Sequence, residues 1–486
     1  MSFYIKANRI FNPVRKYSWL FTLLVGLVGL WYPRLGLLVI PVMVTLTTLA
    51  LFKGRYWCGN VCSHGSLFDV ILMPFSRNGQ IPRLLRSRVV AWLFFAFFGW
   101  NIGSKVFRVA GLWGTMEFWD RLGFIFVSSY LMVMIVGGLL AVAISPRTWC
   151  NFCPMGTLQV LSYRLGKALQ LNRATDEKIT VVNQDMCHTC GKCSRVCPLQ
   201  LSPYTAFSDT NQFEADVCIR CSTCVFHCPA GILSLNPQDE AIQLRARTST
   251  KGYEHRVKIT ATVAGIRDLA PAVKEFTFHL DEPRIIQYTP GQFILVKIQA
   301  QPEMYRAYSI SGYNKEKAEL RIAVKQVPDG YGSGILFEDF HPGMEVELEG
   351  PMGHELVVDR QAEHVLLVAG GIGITPFLPI VEDLAANAPL VKTITLVYGV
   401  NQRTEFLYDE DLQRLQAKHN HFTCVKVAAF DNTWSGPKGF VTDVMNDMDL
   451  TNSTIYMCGP KPMTNAALGL LAHQGIQDTK IFLESA

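Results

Sequence analysis

Charge is scarce in this sequence: 17% of its 486 residues are Asp, Glu, Lys or Arg, against 49% hydrophobic ones. That balance is the average of a strongly apolar part and an ordinary soluble part. Tryptophan draws the line between them, because the eight that fall from Trp19 to Trp149 are followed by Trp434 alone. A strong charge of one sign is also missing. The formal balance of +5 is too small for a nucleic-acid-binding surface, and that class is excluded. No small-residue cleavage site follows the basic start with Lys6, Arg9, Arg15 and Lys16, so the first apolar run reads as retained and not as a removed leader. The length suggests roughly three to four domains.

Four apolar runs, at 17–32, 35–52, 89–103 and 122–144, have the composition and approximate length of membrane-crossing helices. The polar faces that a buried soluble bundle would show are missing. Lys6, Arg9, Arg15, Lys16, Lys53, Arg55, Arg77, Arg83, Arg86 and Arg88 fall on one side of these runs, and Arg34, Lys105, Arg108 and Arg121 on the other. The positive-inside rule then places both termini and the soluble domains in the cytoplasm, with the chain multi-pass in a bacterial inner membrane. None of the eleven histidines lies inside the runs, which leaves a transmembrane haem without an axial ligand. The near absence of ionisable residues there also argues against a proton or sodium pump.

What the sequence does hold is cysteine. Twelve of the fourteen stand in tight groups two to four positions apart, which is ligand spacing and not a disulfide framework. Residues 180–236 contain Cys187-x2-Cys190-x2-Cys193-x3-Cys197-Pro198 and Cys218-x2-Cys221-x2-Cys224-x3-Cys228-Pro229. This is the bacterial two-cluster ferredoxin pattern, in which the first three thiolates of each run hold one 4Fe-4S cluster and the fourth crosses to the other. Cys187, Cys190, Cys193 and Cys228 would bind the first cluster, and Cys218, Cys221, Cys224 and Cys197 the second. Two complete repeats, each closed by Cys-Pro, fit a zinc site poorly.

Residues 1–165 carry the apolar runs and a second cysteine set, which is an internal repeat. Arg55-Tyr56-Trp57-Cys58-x3-Cys62-Ser63-His64-Gly65 matches Arg147-Thr148-Trp149-Cys150-x2-Cys153-Pro154-Met155-Gly156 with one residue inserted. Cys58, Cys62, Cys150 and Cys153 would close around a third iron–sulfur cluster at the membrane surface; a structural zinc or a thiol pair without cofactor is the competing reading. Over roughly residues 17–235 the arrangement resembles the membrane polyferredoxin family that serves periplasmic nitrate and nitrous-oxide reductase systems. Ser63 departs from that family's motif, which usually has Pro there.

After a linker at 237–255, residues 256–358 show short alternating runs broken by Gly and Pro, the pattern of a small antiparallel barrel. Residues 362–486 alternate apolar strands with helical stretches, as in a parallel sheet covered on both faces. Arg306-Ala307-Tyr308-Ser309-Ile310 is followed by Gly330-Tyr331-Gly332-Ser333 and Gly350-Pro351-Met352-Gly353. In Val368-Ala369-Gly370-Gly371-Ile372-Gly373-Ile374-Thr375-Pro376 an apolar strand ends and a helix opens, so glycines and a helix N-terminus are set to receive a pyrophosphate. Tyr456-Met457-Cys458-Gly459-Pro460-Lys461-Pro462-Met463 follows. Together these motifs resemble the ferredoxin-NADP reductase superfamily from about residue 256 onward.

The resemblance implies an FAD site, with Arg306 on the flavin pyrophosphate, Tyr308 against the isoalloxazine, Ser309 near N5, and Gly332 and Ser333 cradling phosphate; Ala307 and Ile310 complete the strand motif. It also implies a nicotinamide nucleotide held by Gly370, Gly371, Gly373, Thr375 and Pro376 and by Gly459, Pro460 and Met463. Cys458 then lies beside the nicotinamide and Glu484 is the family's C-terminal acid, so Cys458, Ser309 and Glu484 are the expected catalytic residues. Plant-type members have an aromatic residue where this sequence runs on to Ser485-Ala486, which implies a less gated nicotinamide. Arg403 suits a 2'-phosphate but Glu405 repels one, and the balance leans to NADH.

Hydride carries two electrons and a cubane cluster accepts one, so a flavin must stand between them. The expected protein is therefore a multidomain membrane oxidoreductase that passes electrons from NAD(P)H through FAD and 4Fe-4S clusters to a membrane-associated redox partner. A self-sufficient NAD(P)H:quinone oxidoreductase and a docking subunit of a larger complex are the alternatives.

Overall fold

The computed structural model describes residues 3–477 and 480–485; Ala486 lies outside them. It divides into two compact units, one of residues up to Cys187 with Gly191–Ser249, the other of His188–Cys190 with the residues from Thr250 onward.

Among the described residues, three helices of the first unit are long and apolar enough to cross a bilayer: Pro33–Lys53, Arg88–Ala110 and Met116–Ala143. They correspond to the second, third and fourth apolar runs, so the structure offers three candidate spans where the sequence reading expects four. The first run behaves differently. Its helix α1 (Trp19–Gly26) has eight residues, only about 12 Å at 1.5 Å per residue. The chain then passes through Leu27 into a 3-10 turn, Val28–Leu30. Within that turn Gly29 lies so close to Val127 that a side chain would not fit.

Small residues also set the other crossings. Helix α2 (Val39–Lys53) continues the segment begun at Pro33, α3 is Arg88–Ala110 and α4 is Met116–Met132. A Cβ on Gly123 of α4 would run into the Pro33 carbonyl, and one on Gly36 into the Gly123 carbonyl. Bare backbone at such points is what lets apolar helices approach closely. Helix α5 (Pro154–Ala168), which follows the second cysteine pair, lays Gly166 on the Leu51 carbonyl of α2 in the same way. No residue of α3 is buried, and Trp92, Leu93, Phe97, Trp100 and Phe107 stand exposed along it.

The cysteine-rich segment is closed by a two-stranded antiparallel sheet, β1 (Lys178–Val181) with β2 (Leu233–Asn236), in register from Lys178 with Asn236 to Val181 with Leu233. Its core is Ile179, Val181, Phe213, Ile232 and Leu233 around Cys193 and Cys224. The two cysteine runs fold alike. Thr189 and Gly191 flank Cys190, Arg220 and Ser222 flank Cys221, and all four have positive φ. This left-handed backbone curls each loop inward and costs a residue with a Cβ roughly 1–2 kcal/mol, so three of the four positions carry strain for the sake of the loop.

In the second unit six antiparallel strands close a barrel in the order β3-β4-β7-β6-β5-β8. They are β3 (Val257–Ala270), β4 (Val273–Glu282), β5 (Phe293–Ala300), β6 (Glu303–Asn314), β7 (Glu319–Lys325) and β8 (Glu345–Met352). A five-stranded parallel sheet follows, ordered β11-β10-β9-β12-β13, with β9 (His364–Gly370), β10 (Thr393–Val400), β11 (Phe422–Ala428), β12 (Ser453–Gly459) and β13 (Ile481–Ser485). Successive residues of β9 bury on opposite faces: Val365, Leu367 and Ala369 in one core, Leu366 and Val368 in the other. A sheet covered on both faces needs such continuous apolar strands.

Candidate functional site

Cys58, Cys62, Cys150 and Cys153 line a single apolar cavity of about 320 Å³ in the first unit, which Phe98 and Ile102 of α3 also line. Two arginines cross above it. Arg55 donates to the sulfur of Cys58 (3.7 Å) and to the carbonyl of Cys150 (3.0 Å). Arg147 does the reverse, donating to the sulfur of Cys150 (3.6 Å) and the carbonyl of Cys58 (3.2 Å). Each guanidinium also lies over the other half's glycine: a Cβ on Gly65 would meet Arg147, and one on Gly156 would meet Arg55. Arg55 and Arg147, Cys58 and Cys150, and Gly65 and Gly156 are matched positions of the repeat, so the repeat folds as a pseudo-twofold pair.

Three features of this centre are not read from the sequence. Asp69 is buried and accepts ion pairs from Arg147 (2.6 Å), Arg9 (3.2 Å) and Arg15. Arg9 and Arg15 are themselves 2% exposed, so they act as buried partners of Asp69 and not as loop charges facing the membrane surface. Gln159 of α5 donates to the Cys58 sulfur at 3.1 Å. A signal for Asp69 exists: it is the first acidic residue of the chain, and the next is Glu117.

No disulfide joins any of the cysteines, and among the described residues no three His, Cys, Asp or Glu side chains converge on a single ion. An all-thiol set spread around a chamber suits an iron–sulfur cluster. The surrounding charge suits it too. Of four buried arginines, Arg9, Arg15 and Arg147 share one buried aspartate, Asp69, while Arg55 makes no ion pair among the described residues, and buried charge of one sign is costly without a partner of the other. Four thiolates around iron would provide such an anion.

The ferredoxin-type cysteines come next to this centre. Cys58 and Cys150 share one small core with Cys221, Leu199 and Ile219, with Cys197 packed against it. A Cβ on Gly59 would strike the Ile219 carbonyl, so the loop bearing Cys58 rests directly on the loop bearing Cys221. Beside the latter, Arg220 donates to both oxygens of Asp176 (2.6 and 2.9 Å).

In the second unit, Arg306, Tyr308 and Ser309 stand on β6. Arg306 lies across Gly332 in the first turn of α6 (Tyr331–Glu338), where a Cβ would collide with its side chain. A guanidinium at a helix N-terminus is a place for phosphate, and Ser333, whose hydroxyl accepts from the Val327 N–H (3.1 Å), fixes the turn. Arg306 also donates to the carbonyls of Tyr305 (2.7 Å) and Cys190 (2.8 Å).

The two nucleotide motifs meet at the ends of β9 and β12. Gly371 has φ +56°, and a Cβ on Gly373 would strike the Cys458 carbonyl. Gly370 packs against Pro460 and Met463, and Gly459 against Met463. Thr375 and Pro376 lead into α7 (Phe377–Asn387). Cys458 pairs with Glu484 across β12 and β13. Burial, with the Glu484 charge adding to it, pushes the Cys458 thiol far up, so it stays protonated. Burial and then Glu355 push the Glu484 carboxyl up to about 7. Arg403 lies 4.0 Å from Asp431, whose carboxylate also accepts from the Arg403 backbone N–H.

Known families match these same places. An oxidoreductase FAD-binding domain matches residues 260–356 and an oxidoreductase NAD-binding domain matches 367–468. A 4Fe-4S binding domain matches 35–82 and 129–172, the two stretches that hold Cys58, Cys62, Cys150 and Cys153. Beyond these domains, the reductase half is similar to the reductase component of phenol 2-monooxygenase from Pseudomonas sp., 30% identical over 46% of this chain and 64% of that protein. It is also similar to the glycine betaine monooxygenase reductase subunit of Chromohalobacter salexigens, 27% identical over 49% of this chain and 66% of that protein. The chain thus spans slightly less than two thirds of these relatives' length. A ferredoxin reductase in carbazole 1,9a-dioxygenase, a solved structure, is 25% identical with a TM-score of 0.43, over 47% of this chain and 69% of that one.

Proposed function

We propose that the chain is a membrane-bound, NAD(P)H-dependent oxidoreductase that delivers electrons from its reductase half through iron–sulfur clusters to a membrane-associated acceptor. The observation that carries this reading is the shared core in which Cys58 and Cys150 meet Cys197 and Cys221, because electron hopping between centres is faster the closer they lie. FAD would supply the conversion of one hydride into two single electrons. Arg306 and the first turn of α6 hold its phosphates, the Gly370–Gly373 turn receives the nucleotide, and Cys458 with Glu484 orders the nicotinamide end. The Asp431 contact of Arg403 draws that guanidinium away from a 2'-phosphate and supports NADH.

The candidate spans, with Lys53, Arg77, Arg83, Arg86 and Arg88 between the first and second of them, support a bacterial inner membrane with the soluble domains in the cytoplasm. The monooxygenase reductase components to which the chain is similar support a partner enzyme as acceptor. Direct reduction of quinone is the second reading, favoured by the way the cysteine-lined cavity extends to Phe98 and Ile102. Cys58→Ser and Cys150→Ser test the relay. Both variants are expected to keep flavin, NADH-dependent flavin reduction and ferricyanide reduction, and both to stop delivery to the native membrane acceptor. Wild-type delivery by both would leave the membrane part as an anchor.

A further inference from the structure

The membrane centre is set apart from the ferredoxin-type set beside it by its electrostatics. At the ferredoxin-type set, Arg220 is cancelled by two hydrogen bonds to Asp176. At the four-cysteine centre, Asp69 is shared among Arg9, Arg15 and Arg147, and Arg55 spends its donors on the carbonyls of Val217 and Cys150 and on the Cys58 sulfur. The Nε of Arg55 has no partner among the described residues. Two N–H groups therefore point at the Cys58 sulfur, from Arg55 and Gln159, and one at the Cys150 sulfur, from Arg147.

A cluster on four thiolates gains negative charge when it accepts an electron. Hydrogen bonds to its sulfurs and nearby positive charge favour that reduced form and raise the potential. Burial strengthens the effect, because water does not screen it.

We propose that Arg55 and Arg147 are positioning residues that hold the two cysteine loops together and make the four-cysteine cluster the highest-potential iron–sulfur centre of this chain. This rests on the proposed relay, since it assumes a cluster at these cysteines. The step is a transfer of one electron: the cluster of Cys197, Cys218, Cys221 and Cys224 is oxidised by one electron, the membrane cluster is reduced by it, and no proton or bond is exchanged. NAD(P)H is the source, so the chain runs toward the membrane and not toward NAD+.

The test is a redox titration of the purified holoprotein in detergent, followed by electron paramagnetic resonance, with iron counted in each sample. In the wild type, one cluster is expected to reduce before the others. In Arg55→Gln, the reduced-to-oxidised ratio of that cluster at a fixed poise is expected to fall at least tenfold, about 59 mV for a one-electron couple. Arg55→Lys keeps the charge and restores most of the shift. Asp69→Asn removes the buried acid that pairs with Arg147 and moves the same cluster the opposite way, which a merely structural brace would not do. If Arg55→Gln sheds its iron, the Lys and Asp69→Asn variants still decide the sign.

About twelve irons in every variant with no cluster shifted would overturn the inference and leave the relay standing. About eight irons in the wild type would overturn both. Reduction of the ferredoxin-type clusters first in the wild type would sink the inference and leave the relay standing, since one uphill hop between close centres does not stop delivery.

Discussion

At the scale of single residues, Glu484 and Cys458 carry the sharpest expectations. Below about pH 7 the Glu484 carboxyl holds its proton beside a thiol that is neutral throughout. Stopped-flow rates of flavin reduction by NADH are therefore expected to inflect near pH 7, and Glu484→Gln to flatten the profile. Cys458→Ala is expected to slow that step at least tenfold, about 1.4 kcal/mol of barrier, with flavin content unchanged. Arg306→Ala is expected to do the reverse and yield flavin-poor protein, with acid-extracted flavin per chain at about half the wild-type value or less. The cysteines were legible because ligand spacing survives in one dimension. Asp69 was not, because its meaning lies in three arginines that come to it from positions 9, 15 and 147. Read along the chain, Arg9 and Arg15 look like membrane-topology signals; only the fold shows them buried.

Among the elements, the barrel and the parallel sheet follow from alternation and from continuous apolar strands, which a sequence displays directly. Helix length in the apolar part does not. Composition treats 17–32 as it treats 35–52, yet the first breaks at Leu27, and the Gly29 that follows packs tightly on Val127. Glycines of this kind make a prediction. Gly36→Val would force a side chain onto the Gly123 carbonyl and is expected to cost roughly 1–3 kcal/mol, as overpacking does. Gly99→Ala on α3, where nothing lies within 4 Å, is expected to be neutral or to stabilise by up to about 1 kcal/mol. Thermal unfolding of the two variants in the same detergent, side by side with the wild type, gives the comparison.

For the whole molecule, the arithmetic of the three cysteine sets leads to about twelve irons and about one FAD per chain. Metal analysis with acid-extracted flavin checks this, and Cys150→Ser is expected to lower the iron to about eight while the flavin stays. The crossing of Arg55 and Arg147 has a consequence of another kind. Each copy of the duplicated segment keeps its own cysteines but borrows the arginine that lies over its glycine from the other copy. Once that exchange was in place, neither copy remained an independent module: a chain that lost one would strand the other's arginine and open its loop. The duplication is locked in, and the two halves can drift apart in every feature, as Ser63 and Pro154 have, except the ones they hold in common.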